Sequence, residues 1–321
     1  MPSNTPDRHA FSGSVGPGPG VLAIDVGGTD TKSAVVDGDG KLRGIMRVPS
    51  PHDDRRAGDR VVELVVELTG IYTADYPDVE ISALGLVVPG LVDDAAGIGL
   101  FASNFGWDRY PFRERVAEAT GLPVSFGHDV SAAGDAEMRA GAGLGSDDAV
   151  VLIVGTGIAG AVFCEGRPVR ASGYAGELGH AQVPGGLPCR CGASGCLETI
   201  GSAGAITRRY NSRTGRKVSG AREVLAAAQA GDHDAREIWS DAVNALAFSI
   251  CQLVAMIGTE TVIIGGGLAQ AGPALLDPLA RRIEEQLSFL RIPRLKTSHL
   301  GQNAGLIGAA MRARDLARAS R

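Results

Sequence analysis

His180, Cys189, Cys191 and Cys196 lie within seventeen positions, an imidazole and three thiols set among glycines and a proline. Three cysteines and one histidine can close a tetrahedron around zinc, and the glycines let the backbone fold tightly round it. The segment runs from Gly176 to Glu198 as GELGHAQVPGGLPCRCGASGCLE. Glu177 and Glu198 flank the cluster, so an ion that stiffens the loop also fixes two carboxylates beside it. With four protein ligands the zinc has no open position at which to activate water. Its role is structural.

A second pair of features suits phosphate. VLAIDV (21–26) stops at Gly27-Gly28-Thr29, and TKSAVVD (31–37), a GDG turn and KLRGIMRV (41–48) follow. DAVVLIV (148–154) stops at Gly155-Thr156-Gly157, and IAGAVFC (158–164), a turn at 165–168 and a further short strand follow. Each reads as an antiparallel meander with tight turns, and the recurring order marks a duplication. Glycines let backbone N–H groups approach phosphate oxygens, and threonine hydroxyls add donors. Asp25, at the end of the first strand, could hold Mg²⁺ through water. Lys32 either reaches the phosphates or is solvated. Each turn alone reads better as an ordinary hairpin; their recurrence reverses this and favours two phosphate turns facing each other across a cleft. No GxxxxGK motif is present. Gly155, Gly157 and Gly160 match the spacing of a dinucleotide turn, but AVFCEGRP after Gly160 reads as strand and turn, where a dinucleotide site needs a helix N-terminus.

The elements that would position these groups alternate in type. Helical apolar spacing covers 55–73, 111–120, 131–142, 234–257, 273–290 and 304–319. Strand-like runs lie at 81–90, 122–126 and 261–267, the last ending in Gly265, Gly266 and Gly267. This alternation indicates an α/β protein with sheets covered on both faces. At 321 residues the chain should form two domains, or one large one with a cleft. The formal charge is −5, from 31 basic and 36 acidic residues with no long basic run, which argues against a general nucleic-acid binder. Residues 1–20, rich in Pro, Gly and Ser, read as a mobile tail, with structured chain beginning near Val21. No apolar stretch reaches the length needed to span a bilayer and no leader is visible. With free-looking cysteines, that suggests a reducing cytoplasm. Cys164 and Cys251 read as buried thiols.

DVGGTDTK (25–32), GTGIAGA (155–161) and GELGH followed by CRCGASGCLE together resemble the ROK family of sugar kinases and repressors. The resemblance covers 21–314, with GGGL (265–268) and AGLIGAA (304–310) similar to the family's adenosine-side segments. It implies an actin-like ATPase fold, related to ribonuclease H, with two α/β domains around a central cleft. Residues 21–128 with 304–321 would form the smaller domain and 129–303 the larger one. It implies ATP and Mg²⁺ as cofactors, a structural Zn²⁺ on His180, Cys189, Cys191 and Cys196, and a hexose 6-phosphate as product. The nucleotide contacts would fall on Asp25, Gly27, Gly28, Thr29, Lys32, Gly155, Thr156, Gly157, Gly265, Gly266 and Gly267. The sugar contacts would fall on Gly90, Asn104, His128, Asp129, Glu177, His180 and Glu198, with Asp129 the catalytic base. A homodimer is implied by the resemblance alone.

The residues support these roles unevenly. Asp129 precedes a helix, where an aspartate is also a common N-cap. A carboxylate there could accept a hydroxyl proton as the bond to phosphorus forms. Asn104 could bind sugar or form a turn, and Trp107 reads as packing. Family kinases usually carry Asn before the base; His128 stands there instead, larger and able to carry charge. Asp135 and Glu137 read as solvated helix surface. Arg208, Arg209, Arg213, Arg216 and Lys217 read as a solvated basic loop, and only a basic track would favour polyphosphate as donor. The reading is therefore an ATP-dependent hexose kinase, with glucose first and an N-acetylhexosamine as alternative. A sugar-sensing repressor needs a helix-turn-helix ahead of DVGGT, and the short segment there does not read as one. An inactive zinc-loop module would leave the paired turns unexplained.

Overall fold

A computed structural model of the chain describes residues 15–51, 56–102 and 105–320. These fall into two compact units. One takes in the described residues up to Ala136, with Arg170–Tyr174 and the chain from Gln302 onward; the other comprises Glu137–Val169 and Ala175–Gly301.

In the first unit β1 (Val21–Val26), β2 (Asp30–Val36) and β3 (Leu42–Pro49) form the expected meander, and α1 (Ala57–Asp75) leads into β4 (Ala83–Val88). A small sheet of β5 (Leu91–Asp93), β6 (Ile98–Phe101) and β7 (Asp108–Tyr110) precedes α2 (Phe112–Thr120), β8 (Val124–His128) and α3 (Asp129–Ala140). The main sheet has the order β3-β2-β1-β4-β8. β1 and β4 are buried along their whole length, as strands covered on both faces must be. Leu22, Ile24, Leu84 and Leu86 pack with Val61, Val65 and Leu68 of α1 and Val116 of α2. Val21, Ala23 and Val87 pack on the other face with Leu306, Ala309 and Ala313. Trp107 is packing, as expected: it is buried and stacks on Phe105 at 4.7 Å between ring centres.

In the second unit β9 (Ala149–Val154), β10 (Ile158–Cys164) and β11 (Arg167–Val169) form the second meander. After it come α4 (Glu198–Gly201), α5 (Ala203–Thr214), α6 (Ala221–Gln229), α7 (His233–Ile257), β12 (Thr261–Gly265), α8 (Pro273–Gln286) and β13 (Arg294–Thr297). The chain ends with α9 (Ala304–Ala319), which belongs to the first unit. The sheet order is β11-β10-β9-β12-β13. Position for position this repeats the first sheet: two antiparallel pairings, then two parallel ones. The duplication visible in the two meanders therefore extends to both whole sheets. β10 directly after Gly155-Thr156-Gly157 removes the dinucleotide reading, because no helix opens there.

Four expectations are corrected. Residues 15–20 are not a loose tail: Val15 N–H donates to Gly40 O and Gly18 N–H to Gly38 O, each at 3.0 Å, and the buried Arg314 donates to Gly16 O and Asp37 O. The expectation for 1–14 lies outside the described residues. Second, α7 has 25 residues and a window of mean hydropathy 1.5, enough by length and composition to cross a membrane. It is instead the core helix of the second unit, burying Ile238, Ala242, Leu246 and Ile250 with neighbours from α5, α6 and α8. Third, the basic residues expected in a loop lie largely on α5. Arg209 pairs with Asp241, Arg213 with Asp234 and Glu237, and Arg216 with Asp232.

Fourth, Asp135 and Glu137 are buried. The Glu137 carboxylate accepts from Ser298 Oγ at 2.6 Å, Leu300 N–H at 2.8 Å, Ala142 N–H at 2.8 Å and His299 N–H at 3.1 Å. Four donors thus converge on one buried carboxylate, in place of the water it has lost. Glu137→Ala strands those donors and should cost about 3 kcal/mol, measured as a lower denaturant midpoint; an unchanged midpoint contradicts this accounting.

Candidate active site

The β1–β2 register places Asp25 opposite Lys32. Both side chains point to one place: Lys32 Nζ is 3.7 Å from Asp25 Oδ2 and donates to the Gln302 carbonyl at 2.5 Å. Lys32 is therefore not a solvated lysine, with 18% of its side chain exposed. Asp25 sits against the first turn of α9. A Cβ on Gly305 would lie 2.7 Å from Asp25 Oδ2, so only glycine fits there. Burial pushes the Asp25 carboxyl up to about 6 against the pull of Lys32, and the charge of Asp129 adds to the rise.

Asp129 opens α3 and is not an N-cap. Its Oδ1 accepts from the next residue's N–H, Val130, at 2.7 Å and lies 3.0 Å from His128 Nε2. Burial pushes its carboxyl up to about 7, opposed by the Val130 N–H and by Lys32. Asp25, Lys32, His128 and Asp129 thus form one electrostatic group in the first unit. Nearby, Ser50 Oγ donates to Gly27 O at 2.6 Å and its N–H to Thr29 O at 2.8 Å, which braces the turn and leaves Gly28 and Thr29 exposed. Ser50 and Gln302 were not foreseen, and no local pattern marks them; Gly305 lies in AGLIGAA, expected on the nucleoside side, and here backs Asp25. Gly90 makes the turn between β4 and β5 at φ +90°. Asn104 falls outside the described residues.

In the second unit Gly155-Thr156-Gly157 forms the β9–β10 turn, the same position in the sheet as Gly27-Gly28-Thr29 in the first. The N-terminus of α5 abuts it: Ala203 N–H donates to Gly155 O at 2.9 Å. Glu198 is tied to this turn, its Oε2 accepting from Ile158 N–H at 3.0 Å. One of its oxygens is thus committed to the backbone, which narrows the sugar-gripping role expected of it. Gly265 ends β12 and Gly266 and Gly267 follow, Gly266 at φ +81° with its backbone close against Val154 O.

The GELGH segment lies flat along β10. Gly160 N–H donates to Gly176 O at 2.8 Å, and a Cβ on Gly179 would sit 2.1 Å from Ile158 O. Glycine at 179 allows that approach; Glu177 is half-buried and His180 exposed, with His180 Nε2 4.0 Å from Glu177 Oε2. The other ring nitrogen, Nδ1, is 3.8 Å from Cys189 Sγ, and Cys191 Sγ is 3.7 Å from Cys196 Sγ. The four ligand atoms all lie within 4.8 Å of one another. Tetrahedral zinc with bonds of about 2.3 Å to sulfur spaces thiolates about 3.8 Å apart, so this donor set fits the ion. Cys191 is held low, first by the Ala193 N–H, while burial pushes Cys196 up to about 12. A cavity of about 420 Å³ lined by Leu225, Arg236, Trp239 and Arg281 lies among α6, α7 and α8, and no expected site residue lines it.

Known proteins are similar to this chain along most of its length. The ROK family model matches residues 21–316. A glucokinase of Thermotoga maritima is 34% identical over 312 residues, 90% of this chain and 96% of that one. An N-acetylmannosamine kinase of Citrobacter koseri is 31% identical over 296 residues, 90% and 97% of the two chains. A ROK glucokinase from Streptomyces griseus, solved with glucose and AMPPNP, is 28% identical with a TM-score of 0.76, covering 94% of this chain and 99% of that one.

Proposed function

We propose, from the premise that this chain belongs to the ROK family and is an ATP-dependent sugar kinase with the actin-like ATPase fold, that it phosphorylates the 6-hydroxyl of an aldohexose, glucose first. The observation that carries the residue assignment is the Asp129 carboxylate at the start of α3, largely withdrawn from solvent with 24% of its side chain exposed, beside His128 and within the field of Lys32.

Phosphoryl transfer needs positioning and charge neutralisation more than covalent help. A sugar hydroxyl attacks poorly until its proton has an acceptor. Asp129 is that acceptor: burial raises its proton affinity without leaving it protonated above neutral pH. His128 takes the place of the usual Asn and orients the carboxylate and a sugar hydroxyl. Asp25 would hold Mg²⁺, whose charge offsets that of the nucleotide phosphates; the carboxylate is buried beside a single ammonium, and its ionised form suits a water-mediated cation. The N–H groups of Gly28, Thr29, Thr156 and Gly157 would cradle phosphate oxygens, with the Thr29 and Thr156 hydroxyls as further donors. Gly265, Gly266 and Gly267 would line the nucleoside. Glu177, His180 and the uncommitted oxygen of Glu198 would grip the sugar, with Gly90 and Asn104 completing that set. Zinc on His180 Nδ1 and the three thiolates would fix the loop and leave His180 Nε2 for the sugar.

An N-acetylhexosamine is the alternative acceptor, with the same chemistry at carbon 6 and a different group at carbon 2; likeness to the Citrobacter enzyme favours keeping it. A coupled ADP-release assay over hexoses and hexosamines tests the choice. Glucose should be fastest; a faster N-acetylmannosamine establishes the alternative, and no turnover on any sugar ends the reading. Asp129→Asn should lower kcat about 10³-fold with sugar affinity by calorimetry largely kept, and normal turnover in that variant removes the base assignment.

The pH dependence has a definite sign. A base works only when unprotonated, and burial sets the Asp129 carboxyl at about 7. kcat/KM should therefore fall as pH drops below about 7 and level off above it; an acid limb near 4 would place the carboxyl in water. Cys191→Ser should lose most of about one zinc equivalent by elemental analysis and raise the sugar KM. Metal content equal to wild type would remove the zinc site.

A further inference from the structure

Two arginines close behind the turn that presents Asp129. Arg312 comes from α9. Its Nε donates to Asp135 Oδ2 at 2.6 Å and its Nη2 to Ser131 Oγ at 2.8 Å. Its Nη1 lies 3.6 Å from Asp94 Oδ2 and just 2.3 Å from where a Cβ on Gly127 would stand. The guanidinium thus touches the chain two residues before Asp129 and two residues after it. The α9 backbone supports it, since a Cβ on Gly308 would lie 2.0 Å from Ala132 O.

Arg170 reaches the same group from a strap, Arg170–Tyr174, that leaves the second unit's sequence and packs with the first. Its Nη1 donates to Asp94 Oδ2 at 2.6 Å and to Ser131 Oγ at 3.2 Å, and its Nη2 to Asp135 Oδ2 at 3.3 Å. The strap is strained. Ala171 and Ser172 hold φ of 46° and 52°, outside the ordinary range for residues with a Cβ. Gly173 then lies so close to Val92 O that no side chain fits. Three residues beyond Tyr174 stands Glu177. Strain kept at a segment joined to a candidate substrate ligand, and anchored by charge-assisted bonds to the helix carrying the candidate base, needs a use.

We propose that Arg312 and Arg170 are positioning residues for phosphoryl transfer: through Ser131, Asp135 and Asp94 they lock the β8–α3 turn in the register that aims the Asp129 carboxylate. This rests on the reading of Asp129 as base. Neither arginine touches Asp129 in any contact described here, so the effect passes through the backbone of the turn. Ser131 is the most direct probe. Its hydroxyl accepts from both arginines, and removing it leaves their charges balanced by Asp94 and Asp135. Displacement of a reacting group by a fraction of an ångström costs rate far more than affinity.

The test measures steady-state kinetics and thermal midpoints of Ser131→Ala, Ser131→Thr, Arg170→Lys and Asp129→Asn on the whole zinc-loaded enzyme. Ser131→Ala and Arg170→Lys should each lower kcat about tenfold with both KM values near wild type, and Ser131→Thr, which restores an acceptor oxygen, should recover most of the loss. Unchanged kcat in Ser131→Ala and Arg170→Lys, or a lower midpoint without a lower kcat, overturns the proposal. Asp129→Asn separates the two failures. If it is inactive while the other variants are normal, only the positioning role falls. If it is active, the base reading falls and takes this proposal with it.

Discussion

One ammonium serves two carboxylates, Asp25 buried and Asp129 partly so. Lys32 lies beside Asp25 and acts on Asp129, and burial raises both acids despite it. Removing a carboxylate from water is unfavourable unless charge or donors replace the lost solvent. The surrounding structure is arranged around that deficit. The β1–β2 register sets Lys32 opposite Asp25, the Gln302 carbonyl holds the ammonium in place, and the first turn of α9 packs against the acid with a glycine where any side chain would collide. A site with an incompletely offset negative pair is ready to bind a cation with its phosphates and to take up a proton. Those are the two things a phosphotransferase asks of it.

Duplication supplies the same hairpin twice in this chain. Two sheets of identical strand order each carry a Gly/Thr hairpin at the same edge of the same strand pair. The differences between the copies are what make the site specific. In the first copy the strand before the hairpin ends in Asp25 and Val26; in the second it ends in Ile153 and Val154, with no acid. The second copy instead accepts the metal-loop segment along β10, which brings Glu177, His180 and Glu198 to the neighbourhood of its own hairpin. Asp25 and the proposed base, Asp129, thus belong to the first copy, and the proposed sugar ligands Glu177, His180 and Glu198 to the second.

Much of this was legible from local pattern. The meanders, the Gly/Thr turns, the metal-loop spacing and the place of Asp129 are all written in short stretches, and the structure brings Asp25, Lys32, His128 and Asp129 into one group. What was not legible depends on partners far along the chain. Asp135 and Glu137 look like solvent-facing helix positions because their partners, Arg312 and residues 298–300, lie more than 150 positions away. The 15–20 segment looks like a tail because Arg314, which holds it, is at the opposite end of the sequence. α7 looks ordinary in sequence but is apolar enough for a membrane, since a helix surrounded by α5, α6 and α8 has little polar face to show. The small β5–β7 sheet escaped because its strands are three or four residues long, too short to show a period.

The account turns on the Asp129 carboxyl being withdrawn from water by the fold while still ionised when the enzyme works. Carbon-13 NMR titration of aspartate-labelled protein, with the Asp129→Asn variant to assign the signal, measures this directly without substrate. The account predicts a carboxyl that ionises near pH 7, coupled to a second one near 6 from Asp25. A single ordinary titration near pH 4 at Asp129 would show a solvated surface acid and contradict it.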